Sequence, residues 1–133
     1  MSFIKKHSSK VNPVALVTGS GHGLGKEIAL CLAKNGADII LCGRDGKKLE
    51  STAAEIKKIG VKVYSFTLDA TKPQEVRNLF ESVVKKIDRL YILVNNIGGL
   101  RKFGDFLALS GDDWKEALDL NLMTTVYFSK EAI

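Results

Sequence analysis

An apolar burst, Val14 to Val17, runs straight into four glycines at alternate positions, Gly19, Gly21, Gly23 and Gly25, and then into Ile28, Ala29, Leu32 and Ala33 at helical spacing. Few local structures accept that order of residues, which predicts a strand, a tight turn and a helix. Such a turn binds anions. Glycines let backbone N–H groups come close to a phosphate, and the helix N-terminus presents about half a positive charge to it. A Walker-type loop, Gly-x-x-x-x-Gly-Lys-Ser/Thr, is excluded: ending at Gly25-Lys26, it would need glycine at Ser20 and Ser or Thr at Glu27. The Gly-x-Gly-x-x-Gly fingerprint fails as well, because its third glycine falls on Leu24 or Lys26. A glycine-rich turn with no ligand stays open on this stretch alone.

Apolar runs recur after it, at Ile39 to Cys42, Val61 to Phe66 and Leu90 to Val94. Near-continuous apolar character in three of the four runs, Val14 to Val17 included, fits strands covered on both faces, as in a parallel sheet. The segments between them have the length of helical crossovers. One runs from about Gly46 to Ile59, with Leu49, Ala53, Ile56 and Ile59 on one face and Gly60 as a stop. The next is read with Thr71 as N-cap and Pro73 just inside, and carries Val76, Leu79, Phe80, Val83 and Val84. Ser110 and Asp113 predict a capping box opening a fourth helix, whose apolar face continues through Leu118, Leu122 and Val126 to Phe128. The alternation predicts an α/β fold, a three-layer, doubly wound parallel sheet; if the order is that of a dinucleotide fold, its four strands line up as 3-2-1-4 with the chemistry at the strand ends.

At 133 residues, 45% apolar and 26% charged, the chain has the size and composition of one soluble domain, assigned to residues 13–133. No apolar run approaches the roughly 20 residues that span a bilayer, and the N-terminus lacks the apolar centre of a signal peptide, so a cytoplasmic location is expected. The net charge of +5 invites a nucleic-acid reading, but Lys5, Lys6 and Lys10 supply three of those charges from residues 1–12, and a basic, solvated leader is the reading preferred over a binding arm. Cys31 and Cys42 lack metal-ligand spacing and are read as reduced, packed thiols, and neither His7 nor His22 adds a metal site.

The glycine pattern that does fit, Thr18-Gly19-x-x-x-Gly23-x-Gly25, resembles that of the short-chain dehydrogenase/reductase family. The resemblance extends from about Pro13 to Ile133. Asn95-Asn96-Ile97-Gly98 is similar to the family's Asn-Asn-Ala-Gly element, with Ile97 in place of alanine, and Leu118-Asp119-Leu120-Asn121-Leu122 matches its Leu-Asp-x-Asn-Leu setting. It implies hydride transfer between a nicotinamide and a carbonyl or alcohol substrate, in the manner of bacterial carbonyl reductases. Thr18, Gly19, Ser20, His22, Gly23, Leu24 and Gly25 would border the cofactor, with Asn95, Ile97 and Gly98 across from them. Asn121 would be one catalytic member of a tetrad, holding a water in a proton relay.

At the end of the second strand Arg44 stands where an acid would hold the ribose of NAD, which favours NADP over NAD. Asp45 is a possible partner for Arg44, and an arginine that merely begins a helix is the other reading. Asp69-Ala70 ends the third strand. By the resemblance Asp69 accepts from the adenine amino group, while a carboxylate drawn to the next helix N-terminus explains it equally well. Arg101 and Lys102, on the loop from Leu100 to Leu109, suit an anionic substrate or are simply solvated.

The family's catalytic Ser, Tyr and Lys fall beyond Ile133. Tyr64, Tyr91 and Tyr127 are followed four residues on by Leu68, Asn95 and Glu131, so none has the lysine needed to bring a phenol down from a pKa of about 10. The expectation is a cofactor-binding half with an uncovered edge at its fourth strand, and a homo-oligomer for the full-length relative. A catalytically inactive nucleotide-binding or interaction module is the alternative.

Overall fold

The computed structural model describes residues 11–133, so residues 1–10 of the leader assigned to 1–12 lie outside the described residues. Four strands, β1 (Val14–Thr18), β2 (Asp38–Gly43), β3 (Val63–Thr67) and β4 (Ile92–Val94), form one parallel sheet in the order β3-β2-β1-β4. The helices are α1 (Gly23–Lys34), α2 (Gly46–Lys57), α3 (Pro73–Val83), α4 (Gly111–Leu118) and α5 (Thr124–Ala132). A 3-10 turn at Phe106–Ala108 precedes α4, and a π-helical segment at Asp119–Met123 joins α4 to α5.

The unbroken apolar runs of β1 and β2 follow from burial on both faces. Val14 and Leu16 of β1, with Ile40 and Cys42 of β2, pack with Val76, Leu79, Phe80 and Val83 of α3 and Phe128 of α5. Their neighbours Ala15, Val17, Ile39 and Leu41 pack with Ala29 and Ala33 of α1 and with Leu49, Ala53 and Ile56 of α2. A period of two thus divides each strand between two cores. On the first side Phe80 meets Phe128 edge to face, their ring centroids 6.1 Å apart. Among the described residues β4 pairs with β1 alone.

Several local expectations are corrected. β3 starts at Val63, not Val61, and β4 at Ile92, not Leu90. The N-cap of α3 is Lys72, whose side chain caps nothing; Thr71 is not free to cap, since its hydroxyl donates to Asp69 Oδ1 at 2.7 Å. Pro73 does open the helix. Cys42 is buried, which pushes its thiol up to about 12, but Cys31 is exposed rather than packed.

The largest departure concerns the last helical stretch. Leu118 and Leu122, expected on its buried face, are 55% and 53% exposed, whereas Phe128 is fully buried. Thr124 is buried with it, one turn earlier, and Thr124 Oγ1 donates to the Leu120 carbonyl at 2.7 Å. The inward stripe is therefore Leu120, Thr124 and Phe128. Two stripes offset by two residues have the same i, i+4 spacing, so the spacing alone does not decide which of them faces the sheet.

The capping box at α4 is present: Asp113 N donates to Ser110 Oγ at 3.2 Å and Ser110 N to Asp113 Oδ2 at 2.8 Å. The Lys102 ammonium, 2.8 Å from Asp113 Oδ2, and then the two Ser110 donors draw this carboxyl down from 3.8 to about 2. The folded chain thus binds the proton more weakly than the unfolded one. The contribution to stability is complete above about pH 4 and is lost as pH falls through about 2. In urea unfolding, the gap between wild type and Asp113→Asn should narrow over that window and stay constant above about pH 5.

Candidate functional site

The turn after β1 is held from behind by side chains that take its carbonyls. Asn96 Nδ2 donates to the Thr18 carbonyl at 3.0 Å and the Gly19 carbonyl at 3.2 Å, and Thr52 Oγ1 donates to the Gly21 carbonyl at 3.2 Å. Thr18 Oγ1 in turn accepts from the backbone of Asn96 at 2.9 Å and of Ile97 at 3.1 Å. Ser20 is locked to β2 through Cys42 N, which donates to Ser20 Oγ at 3.1 Å.

With the carbonyls tied back, the amides face the other way. Among the described residues the N–H groups of His22, Gly23, Leu24 and Gly25 find no acceptor. His22, the N-cap of α1, makes no side-chain cap, and no acid stands in the first turn. The open end of the helix therefore favours an anion and holds nothing that would compete with one. Gly23 adopts a φ of +56°, the left-handed turn into the helix that favours glycine. Gly25 has another reason to be glycine: it lies against the Gly19 carbonyl, where a Cβ would overlap the oxygen.

These amides open onto a cleft of about 980 Å³ across the carboxyl ends of the strands. Of the residues expected to bind a cofactor, Gly19, His22, Gly23, Leu24, Gly25, Arg44, Asp69, Ala70, Ile97 and Gly98 line it. Thr18 and Ser20 do not; both are buried beneath it as supports. Asn95 lies off the cleft, its Nδ2 donating to Ser129 Oγ at 3.2 Å. Its neighbour Asn96 is in the wall instead. Strand alternation carries the signal: Asn96 falls on the side of Ile92 and Val94, which pack with the core beneath α1, and Asn95 on the side of Leu93. Lys47, Lys48, Arg101 and Leu120 also line the cleft and were not singled out as cofactor ligands.

Asp45 does not pair with Arg44. Its carboxylate caps α2 by accepting from Lys48 N at 3.1 Å and lies 3.8 Å from the Lys48 ammonium. Arg44 is exposed at the cleft and has no ion pair among the described residues. Asp69 stands just ahead of α3, in the wall of the cleft. Oδ1 accepts from Thr71 N and Oγ1, and the Thr71 hydroxyl is the main reason the carboxyl stays below its ordinary range, while the residue itself faces the cleft.

Asn121 sits in the π-helical segment, where the ordinary ladder is interrupted. Its Nδ2 donates to the Ala117 carbonyl at 2.8 Å and the Gly99 carbonyl at 2.7 Å, and its Oδ1 accepts from Gly99 N at 2.9 Å. The amide group thus clamps both backbone groups of Gly99 and fixes the chain leaving β4. A mid-helix asparagine is placed there by the interruption, which leaves a backbone carbonyl for its side chain.

A parallel sheet ordered 3-2-1-4, with a glycine turn feeding a helix N-terminus at its carboxyl edge, defines a doubly wound α/β protein of the dinucleotide-binding type. Within that class the chain belongs to the short-chain dehydrogenase family, whose model matches residues 13–133. It is 35% identical over 121 residues to the 3-oxoacyl-acyl-carrier-protein reductase of Aquifex aeolicus, covering 90% of this chain and 48% of that one. Among solved structures, the 3-oxoacyl-acyl-carrier-protein reductase of Brucella melitensis in complex with NAD superposes with a TM-score of 0.86 at 34% identity, over 93% of this chain and 49% of its own. The L-sorbose reductase of Gluconobacter frateurii, complexed with NADPH and L-sorbose, gives 0.85 at 31% identity over 91% and 46%. The chain therefore spans about half the length of these relatives. Among the described residues no helix is long and apolar enough to cross a membrane.

Proposed function

We propose that this chain supplies the NADP(H)-binding half of an oxidoreductase that interconverts a carbonyl and an alcohol. The observation that carries the reading is the row of unpartnered amides from His22 to Gly25, aimed into the cleft by a turn whose carbonyls are tied back. The pyrophosphate would lie on those amides and on the positive end of α1. Arg44, with no acid paired to it, would meet the ribose 2′-phosphate, and His22 lies on the same cleft. Asp69 and Ala70 would border the adenine, and Ile97 and Gly98 the ribose nearer the nicotinamide. The bound nicotinamide supplies or takes the hydride. Asn121 would keep the loop after β4 in place and serve the proton relay of the complete site. The exposed stripe of Trp114, Leu118, Leu122 and Val126 would become a contact between copies in the full-length protein. Both free thiols agree with a cytoplasmic setting.

Titration of the 133-residue chain with NADPH, and with adenosine 2′,5′-bisphosphate, tests this. Amide resonances from Gly19 to Lys26 should shift, and NADPH should bind more tightly than NADH. Arg44→Ala should weaken NADPH about tenfold and leave NADH nearly unchanged, the worth of one charge-assisted hydrogen bond near the surface. Resonances unmoved at millimolar ligand would overturn the reading. The chain alone should oxidise no NADPH with any ketone, because none of its tyrosines has a lysine four residues on.

A further inference from the structure

Arg101 is an exposed arginine in the wall of the cofactor cleft with nothing to hold. Among the described residues it makes no ion pair, and its guanidinium contacts neither Asp113 nor Asp69. The chain on either side of it is nevertheless fixed. Gly99 is clamped by Asn121 through both of its backbone groups, and Lys102 is tied to Asp113 at 2.8 Å. Arg101 is therefore presented over the cleft by two anchors rather than left to wander.

Asp69 lines the same cleft, two residues beyond the end of β3. Its Oδ1 is committed to Thr71, and no donor among the described residues reaches Oδ2. The two charges feel each other without touching: Arg101 is the last and least of the causes that hold the Asp69 carboxyl low. What fits between an uncommitted carboxylate oxygen and an uncommitted planar cation is a flat ring with an amino group on its edge. The carboxylate accepts from the amino group, and the guanidinium lies on the ring face, where arginine stacks well and lysine does not.

We propose that Arg101 is a specificity-determining cofactor residue, a planar clamp closing over the face of the adenine ring while Asp69 reads its amino edge. The inference rests on the cofactor reading above and adds to it a residue on the loop after β4. It also separates the work of three side chains: Arg44 would read the 2′-phosphate, Asp69 the amino group and Arg101 the ring itself.

The test is titration of wild type, Arg101→Ala, Arg101→Lys and Asp69→Asn with NADP, NAD, ADP, IDP and inorganic pyrophosphate. Because Arg101 makes no ion pair among the described residues, its variants should remain folded. Arg101→Ala should weaken all four nucleotides by one common factor, about five- to tenfold, and leave pyrophosphate unchanged. Arg101→Lys should recover little of that loss. The preference for ADP over IDP should survive Arg101→Ala and disappear in Asp69→Asn. The clamp is overturned if Arg101→Ala binds every nucleotide like wild type. It is equally overturned if the loss is confined to NADP, which would make Arg101 a phosphate ligand, or if Arg101→Lys restores full affinity, which would leave only its charge. Wild type binding none of the nucleotides overturns the cofactor reading and the clamp together, whereas wild type binding them while Arg101→Ala does so equally well overturns the clamp alone.

Discussion

Gly25→Ala is expected to destabilise the chain by about 3 kcal/mol or more and to abolish nucleotide binding. The added methyl would overlap the Gly19 carbonyl oxygen and come within 2.5 Å of Asn96 Nδ2, the donor that holds that carbonyl. Neither atom belongs to a long flexible side chain that could move aside, so the turn itself must shift and the amides lose their aim. Gly23→Ala provides the contrast. A Cβ at Gly23 meets nothing within 4 Å, so its cost is only the left-handed backbone at φ +56°, roughly 1 kcal/mol. Urea unfolding of the two variants beside wild type gives the comparison. Equal costs at the two positions would mean that the close approach at Gly25 is relieved elsewhere.

The two glycines show why the site was legible in the sequence and where legibility stopped. Alternate glycines between an apolar run and an amphipathic one allow only a turn onto a helix, and βαβ alternation with one-handed crossovers leaves few topologies, among which the order 3-2-1-4 is that of a dinucleotide fold. Local competition was not visible. Thr71 looks like an N-cap by residue type, but whether its hydroxyl serves the helix or Asp69 depends on where β3 delivers that carboxylate. Asn95 and Asn96 are the same residue twice, and only the register of β4 decides which one lies over the turn. The choice between the Leu118–Leu122 stripe and the Leu120–Thr124–Phe128 stripe fell to the sheet behind them, which the residues of one helix do not describe. Arg101 was noticed as a charge on a loop. Its place in the cleft comes from the Asn121 clamp on Gly99 two residues earlier, a contact spanning 22 positions of sequence.

Thr18→Val is expected to cost about 3 to 5 kcal/mol, as much as a large truncation in the core, although it keeps the shape of the side chain. Thr18 is 1% exposed, and its hydroxyl oxygen is the shared acceptor for two backbone amides, Asn96 N and Ile97 N. Valine fills the same space and accepts from neither. Each half-buried amide then loses its partner, at about 1–3 kcal/mol apiece. Thr18→Ser keeps the oxygen, gives up one buried methyl and should lose only about 1 kcal/mol. The same pair separates support from contact in binding, because Thr18 lies beneath the cleft and not in its wall. Thr18→Val should weaken NADPH by releasing the segment from Asn96 to Gly98, while Thr18→Ser should bind like wild type. If valine matched serine in both urea unfolding and NADPH titration, the β4 exit would be held by the Asn96 side chain alone. The twin hydrogen bonds at Thr18 would then have no part in shaping the cleft.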